Sequence, residues 1–383
     1  MGAIITRAQA LRKSDVMKIC YIAEGSSIHT QKWMKYFAGR GHELHLISRK
    51  PFEAIDSKGL NSYWLTSARY PVLLRYPYDT LRVRRLIKEI KPDMLHVHYA
   101  VGYGLLGALS GFHPFILSVW GSDILVAPKQ SKIYRGTVKL AIGRADVIHC
   151  DADHIIAPLI KLGAKPEKIK LIYFGVDTQK FKPADRNKKL QEELGIVNSP
   201  TVISIRSLEP IYDIETLISS IPMVLKEIPE AKFLIVGGGS QEAKLKEQGE
   251  SLGISQSVKF TGRISNDELP EYLNSVDIYV STSLSDAGLA SSTAEAMACG
   301  LPVIITDFGD NKKWVEDGTN GFLIPLKNSQ VLASKIIQLI RNKEVRDKFG
   351  QINRQIIEER NDWQKEMRKI EELYESLMIR SKK

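Results

Sequence analysis

The chain has little cysteine, and none of it is spaced for chemistry. Cys20, Cys150 and Cys299 stand far apart and follow no metal or redox spacing. That excludes a disulfide framework and gives no zinc or dithiol motif, so a reducing compartment is expected. Long apolar runs that would make one helix are also missing. The best candidate, Tyr99 to Ser122, contains no Asp, Glu, Lys or Arg and is about long enough to span a bilayer. His113-Pro114 splits it, and Gly102, Gly104, Gly107 and Gly111 make it a poor single helix. It reads better as a small-residue helix followed by the buried strand FILSVW. Met1 to Val16 carries Arg7, Arg12 and Lys13 without an apolar core, so it lacks a secretory pattern. Residues 1–16 are expected to be a loose extension of a soluble, cytoplasmic protein.

Acidic residues are scarce in the first half. Residues 1–183 hold 28 Lys+Arg against 14 Asp+Glu, a net +14, whereas residues 184–383 hold 26 against 30, a net −4. Histidine is absent after His154. This asymmetry points the N-terminal half at an anionic membrane surface or a charged substrate; a merely solvated lysine surface is the competing account. Nucleic acid is not expected as a partner.

What the chain does contain is an alternation. MKICYIAEG, ELHLIS, MLHVHY, FILSVW, DVIHC and KIKLIYFGVD read as strands, separated by helical runs such as HTQKWMKYFAGRGH and DTLRVRRLIKEIKPD. The series restarts with TVISIRSL, AKFLIVGGG, SVKFTGR, DIYVSTSL and PVIITD. Short apolar strands alternating with helices give parallel sheets covered on both faces. At 383 residues the chain exceeds one ordinary core. The expectation is an α/β protein with two doubly wound, Rossmann-like domains, 17–183 and 184–362. A last helical stretch, 363–383, is expected to pack back on the first domain. Ligands of such sheets lie beyond the carboxyl ends of the strands. That rule selects AEGSS, HVHY, VWGSD, FGVD, IRSLEP, VGGG and TSLSDAG, which belong to two sheets. A ligand pair in an interdomain cleft is the expected geometry.

Within those segments, SDAGLASSTAEAMACG sets one glutamate, Glu295, in a bland helix after a tight loop. Ser291, Ser292 or Thr293 is expected to cap that helix, whose free N–H groups favour an anion. Glu295 then either reaches a sugar hydroxyl beside the anion or only complements the helix dipole. Arg206 follows a buried strand, where its fork suits phosphate oxygens or a structural pair with Glu209 or Asp213. Gly237, Gly238 and Gly239 allow close backbone approach to a ligand or simply a tight turn. His96 and His98 alternate on one strand, but no third metal ligand accompanies them. Asp151-Ala152-Asp153 spells D-x-D, although Asp153 also suits a helix N-cap.

Nine segments in order carry a family resemblance: EGSSIHT, GRGHELHLIS, HVHY, GSD, GVDTQKFKP, IRSLEP, VGGG, STAEAMACGLPVIITD and EDGTNGFLIP. Over Lys18 to about Asn328 the chain resembles the group 1 glycosyltransferases (family 4), nucleotide-sugar enzymes of the GT-B fold. The resemblance implies transfer from a nucleotide-sugar to a glycan or lipid-linked acceptor, with retention of configuration and no metal requirement. It makes 17–183 the acceptor side and 184–362 the donor side. It puts the donor ribose on Glu295, the donor phosphates on Arg206, and the donor among Gly25, Ser26, Gly237, Gly238, Asp286, Gly288, Leu289, Ala290 and Ser291. Ser27, His29, His98, Trp120 and Asp123 fall on the acceptor side, with Arg206, Glu295, His98 and Asp123 as the catalytic set. The chain departs from the family in four places. The earlier of its two glutamates falls on Ala287, Tyr212 stands near its lysine, Trp120 replaces a histidine before GSD, and Phe174 replaces an Asn before GVD. A sugar-nucleotide epimerase of the same fold, or a non-catalytic nucleotide-binding partner subunit, are the rival readings. Arg82, Arg84, Arg85, Lys88 and Lys91, with Leu81, Leu86, Ile87 and Ile90 beside them, make an amphipathic segment. It is expected either to meet anionic lipid or to pack its apolar side on the sheet.

Overall fold

The computed structural model describes residues 16–50, 59–65, 72–286 and 288–381. Apart from Val16, the expected N-terminal extension lies outside them, as does Ala287. The chain divides into two compact units: one runs to Tyr173 and resumes at Met367, and the other is Phe174–Glu366.

The first unit holds a seven-stranded sheet: β1 (Lys18–Ile22), β2 (Glu43–Ser48), β3 (Leu60–Trp64), β4 (Met94–His98), β5 (Phe115–Val119), β6 (Val147–Cys150) and β7 (Ile169–Leu171). All neighbours pair parallel in the order β3-β2-β1-β4-β5-β6-β7. Every residue of β4, β5 and β6 is buried, as helices on both faces require. The chain leaves β1 in one direction and returns beside it as β4, so the strand-end loops of β1 and β4 diverge and leave a crevice. Helix Ile28–Gly39 buries Thr30, Trp33, Met34 and Phe37, the i, i+3, i+4, i+7 pattern of one helix face. Helix Val72–Ile90 buries Val83, Leu86, Ile87 and Ile90 and leaves Leu81 exposed. Its apolar side therefore packs inward, which removes the apolar surface expected to meet lipid there. From Met367 onward the terminal helix Trp363–Ser381 belongs to this unit, burying Met367, Ile370, Tyr374 and Leu377.

The second unit holds six strands: β8 (Thr201–Ile205), β9 (Lys232–Val236), β10 (Val258–Gly262), β11 (Ile278–Ser281), β12 (Val303–Thr306) and β13 (Gly321–Ile324). They pair parallel in the order β10-β9-β8-β11-β12-β13. The strand order reverses between β8 and β11, so Arg206 and the loop from Thr282 onward diverge from that point. Helices Ile214–Glu227 and Ser329–Arg341 contribute Leu217, Ile218, Ile221, Leu332 and Ile336 to the core around Phe233, Val280 and Ile304. Among the described residues no helix is long and apolar enough to cross a membrane.

Candidate functional site

In the second unit, Arg206 is only 8% exposed, and its Nη2 donates to the Asp286 carboxylate. Its guanidinium lies 4.2 Å from the centroid of the Tyr212 ring. Burial opposes the Arg206 charge, but Asp286 and the Tyr279 and Tyr212 phenols outweigh it and hold the pKa above its ordinary value. Neither acid expected as its structural partner takes it. Glu209 accepts from the Ser240 backbone N–H at 2.9 Å and hydroxyl at 2.5 Å, and Asp213 accepts from the Thr216 hydroxyl at 2.7 Å.

The glycines after β9 are needed mainly by Arg206 and Leu208. A Cβ on Gly237 would sit 2.0 Å from the Arg206 carbonyl oxygen, at a φ of +142°. One on Gly239 would sit 2.5 Å from the Leu208 carbonyl. Gly238 differs: its Cβ would meet only side-chain atoms at ordinary contact distance, Arg263 at 3.5 Å and Glu242 Oε2 at 3.7 Å. Gly237 thus positions Arg206, and Gly238 is the glycine with room beside it.

Ala290, in an extended conformation, is the N-cap of helix Ser291–Ala298, and no side chain caps it. The expectation that Ser291, Ser292 or Thr293 caps is therefore corrected: all three are helical. The Ser292 and Thr293 hydroxyls lie 2.8 and 3.3 Å from the Tyr279 hydroxyl instead. Ala294 is the first residue of the helix whose N–H bonds back, to the Ala290 carbonyl. The opening amides keep their positive end toward the loop of Gly288, Leu289 and Ala290. Glu295, the fifth residue, is 6% exposed and lies past the first turn. A carboxylate so buried is not a surface dipole partner. Burial, with Glu295 nearby, pushes the Cys299 thiol up to about 12 and keeps it protonated.

In the first unit, the Gly25 N–H donates to the Ser48 hydroxyl at 3.2 Å, and its carbonyl accepts from Gln31 Nε2. Ser26 is exposed, its hydroxyl 3.2 Å from Glu24. Ser27 is the N-cap of helix Ile28–Gly39 and makes no side-chain cap bond. His98 closes β4, with Nδ1 3.3 Å from the Thr30 hydroxyl and Nε2 buried without a hydrogen-bond partner among the described residues. Its ring centroid is 5.1 Å from that of Trp120, which meets His29 edge-on at 5.3 Å. Burial, with His149 and His29 nearby, pushes His98 down to about 3. Burial and Lys32 push His29 down to about 4. These imidazoles are neutral at physiological pH.

Asp123 is fully buried. One oxygen accepts from the Ala100 N–H at 2.7 Å and the other from the Trp120 N–H at 3.0 Å. Burial pushes the group up to about 6 against these backbone donors. Asp123 therefore ties the ends of β4 and β5 together, instead of offering a free carboxylate to a hydroxyl group. His96 shares the sheet face of His98, the two ring centroids 4.8 Å apart, and sits in a buried network between the Tyr374 hydroxyl and Ser118 Oγ. Asp153 opens the short 3-10 helix Asp153–Ile155, with Ala152 as its N-cap, and accepts from the Tyr173 hydroxyl at 3.1 Å. Among the described residues no group of three or more His, Cys, Asp or Glu is arranged to hold a metal.

The sequence profile for glycosyl transferases group 1 matches residues 185–356, and that for glycosyl transferase 4-like proteins matches residues 18–152. The chain belongs to the group 1 glycosyltransferases. The N-acetyl-alpha-D-glucosaminyl L-malate synthase of Bacillus anthracis is 26% identical over 370 residues, 93% of this chain and 95% of that protein. A GDP-mannose-dependent alpha-(1-6)-phosphatidylinositol monomannoside mannosyltransferase of Mycolicibacterium smegmatis is 27% identical over 311 residues, 77% and 81% of the two chains. Among solved structures, Anabaena HepE in complex with UDP and glucose matches with a TM-score of 0.80 at 22% identity, covering 94% of this chain and 100% of that one. The sucrose-phosphate synthase of Thermosynechococcus elongatus matches at 0.78 with 18% identity, covering 95% and 99%. The fold of this glycosyltransferase is GT-B.

Its departures from the family pattern now have physical content. Tyr212, near the place of the lysine, gives Arg206 a ring to lie on. Trp120 joins an aromatic cluster with His98 and His29. Two participants escape motif reading, and both leave a trace in the sequence. Thr30 is a hydroxyl on the buried Trp33-Met34-Phe37 stripe, where a polar residue needs a partner. Tyr279 is a phenol inside a fully buried strand, and its hydroxyl meets Ser292 and Thr293.

Proposed function

We propose that this glycosyltransferase moves a sugar from a nucleotide-sugar to a lipid-linked or glycan acceptor, with retention of anomeric configuration and without a bound metal. One observation carries the donor side: helix Ser291–Ala298 opens without a side-chain cap, on the loop whose Asp286 holds Arg206. The amides and Arg206 would receive the diphosphate, with the diphosphate replacing Asp286 as the anion on the guanidinium. Gly238, Gly288, Leu289, Ala290 and Ser291 would line the donor, and Glu295 would take the ribose hydroxyls. Ser26 would offer a further backbone donor beside Gly25, whose own N–H is held by the Ser48 hydroxyl. His98 Nε2, His29, Trp120 and Ser27 would meet the acceptor, with Asp123 and Gly237 as positioning residues.

Such a site needs no protein nucleophile. The leaving diphosphate takes the acceptor proton on the face it departs from, which preserves configuration, and the protein contributes positioning and charge stabilisation. A lipid-linked acceptor is favoured by the mycobacterial relative, named for its phosphatidylinositol monomannoside acceptor.

Calorimetry with UDP, GDP and their sugars tests the donor site. Glu295→Gln and Arg206→Ala should each weaken binding by roughly 1–3 kcal/mol. Unchanged affinity in both folded variants would remove the assignment. Transfer should survive EDTA and yield product of the donor's anomeric configuration by NMR; loss in EDTA with rescue by Mn²⁺ would point to metal-dependent transfer.

A further inference from the structure

We propose that residues 124–145 of the first unit form a surface that docks on anionic lipid. The segment follows the β5 loop that carries Asp123 and includes helices Ala127–Gln130 and Lys132–Arg144. It contains Lys129, Lys132, Arg135, Lys139 and Arg144, and no acidic residue between Asp123 and Asp146. All five cations are exposed, and none enters an ion pair among the described residues. Helix Val72–Ile90, the segment singled out by sequence, behaves differently: Arg85 pairs with Glu89 at 2.8 Å, and Arg84 donates to the Leu109 carbonyl.

The same surface exposes large apolar side chains. Ile133 is 76% exposed and Val126 48%, and Tyr134 and Leu140 are exposed as well. Helix Lys132–Arg144 repeats one unit after seven residues: Lys132-Ile133 with Gly136, then Lys139-Leu140 with Gly143. Seven residues are two turns, so like residues share a face. Val138, Ala141 and Ile142 are its buried residues and point the other way. A Cβ added at Gly136 or Gly143 meets nothing within 4 Å, so packing does not demand either glycine.

Chemistry separates the occupants. Single exposed aliphatics are ordinary on soluble proteins. Two on one helix face, in a segment with five exposed cations and no acidic residue, match a bilayer interface. There the aliphatics enter the headgroup boundary while lysine stems lie along it and keep their charge in water. The inference does not rest on the donor-site reading, because its readout is vesicle partition rather than transfer.

Flotation of the full chain tests it, with phosphatidylcholine vesicles alone or mixed with phosphatidylglycerol. Binding should require phosphatidylglycerol and fall as NaCl rises. The triple change Lys132→Gln, Arg135→Gln, Lys139→Gln should lower partition at least tenfold, since each cation at the surface contributes about fivefold. Ile133→Asn should lower it as well, and melting curves should show both variants folded. The control Arg82→Gln, Arg84→Gln, Arg85→Gln should stay within about twofold of the parent chain. Equal binding to neutral and anionic vesicles, or no vesicle binding, would overturn the proposal. So would parent-like partition of the triple variant or of I133N, or a loss in the control as large as in the triple.

Discussion

Arg206 carries its charge where burial opposes it, and Asp286 compensates. The two side chains are 8% and 13% exposed, so neither is well solvated, and removing one leaves the other nearly alone. A diphosphate entering here exchanges one anion on the guanidinium for another with more oxygens. Asp286 is then a competitor that also keeps the empty site folded. Asp286→Asn should tighten nucleoside diphosphate binding by roughly three- to tenfold while lowering the melting temperature, because Arg206 loses its main anionic partner. Calorimetry and thermal melts read the two effects separately; weaker binding would make Asp286 a direct donor contact. Strand-end position drew Arg206 out of the sequence, and the bland run around Glu295 drew out that glutamate. The Arg206–Asp286 pair was not, because it joins residues 80 positions apart. The role of Asp123 was hidden for the same reason, since the Ala100 N–H it binds comes from another strand end.

Across the first sheet runs a hydrogen-bond chain that single residues do not reveal. Tyr21 of β1 meets Tyr374 of the terminal helix at 3.0 Å, and Tyr374 meets His96 Nδ1. His96 Nε2 lies 2.6 Å from Ser118 Oγ, Ser118 2.8 Å from His149 Nδ1, and His149 Nε2 2.8 Å from the Ile172 carbonyl. A carbonyl can only accept, so His149 donates from Nε2, and every hydroxyl and imidazole before it is fixed in direction. Tyr374 must donate to His96 and accept from Tyr21. Tyr374→Phe would leave a buried imidazole nitrogen without a donor and the Tyr21 hydroxyl without an acceptor. It should cost about 1–3 kcal/mol and raise hydrogen exchange in helix Trp363–Ser381. An unchanged denaturation midpoint would show that the chain does not hold the helix. At this scale the apolar strands were legible as short hydrophobic runs. β3 was not, because it is an edge strand with a half-exposed, polar sequence, LNSYW. β13 is only four residues behind a turn. Helix Val72–Ile90 showed its apolar side in the sequence, but periodicity does not say what covers that side.

All eight histidines precede residue 155, so the second unit, Phe174–Glu366, has none, and acid should act on the two units unequally. Burial holds His149 at about 4 and His98 at about 3, and His96 well below the ordinary 6.5. The chain's direction demands the same neutrality, since a second proton on His96 or His149 would face the Tyr374 or Ser118 hydroxyl hydrogen. Between about pH 6.5 and pH 4 the unfolded chain therefore binds protons that the folded unit refuses, and stability falls as pH falls. Asp123 acts in the opposite sense. Its folded value of about 6 lies above the ordinary 3.8, so over that window the folded unit takes up one proton that the unfolded chain does not. His29, held at about 4 by burial and Lys32, adds to the three, and the four histidines outnumber Asp123. Moving from pH 7.5 to 5.5 should cost the first unit roughly 4–5 kcal/mol, at about 1.4 kcal/mol per pKa unit traversed. Hydrogen exchange on the full chain, corrected for intrinsic rates, reads this by region. Protection should fall in β4, β5 and β6 while β8, β9 and β11 keep theirs. Equal losses in both sheets, or none in the first, would mean that the buried imidazoles do not set the acid response.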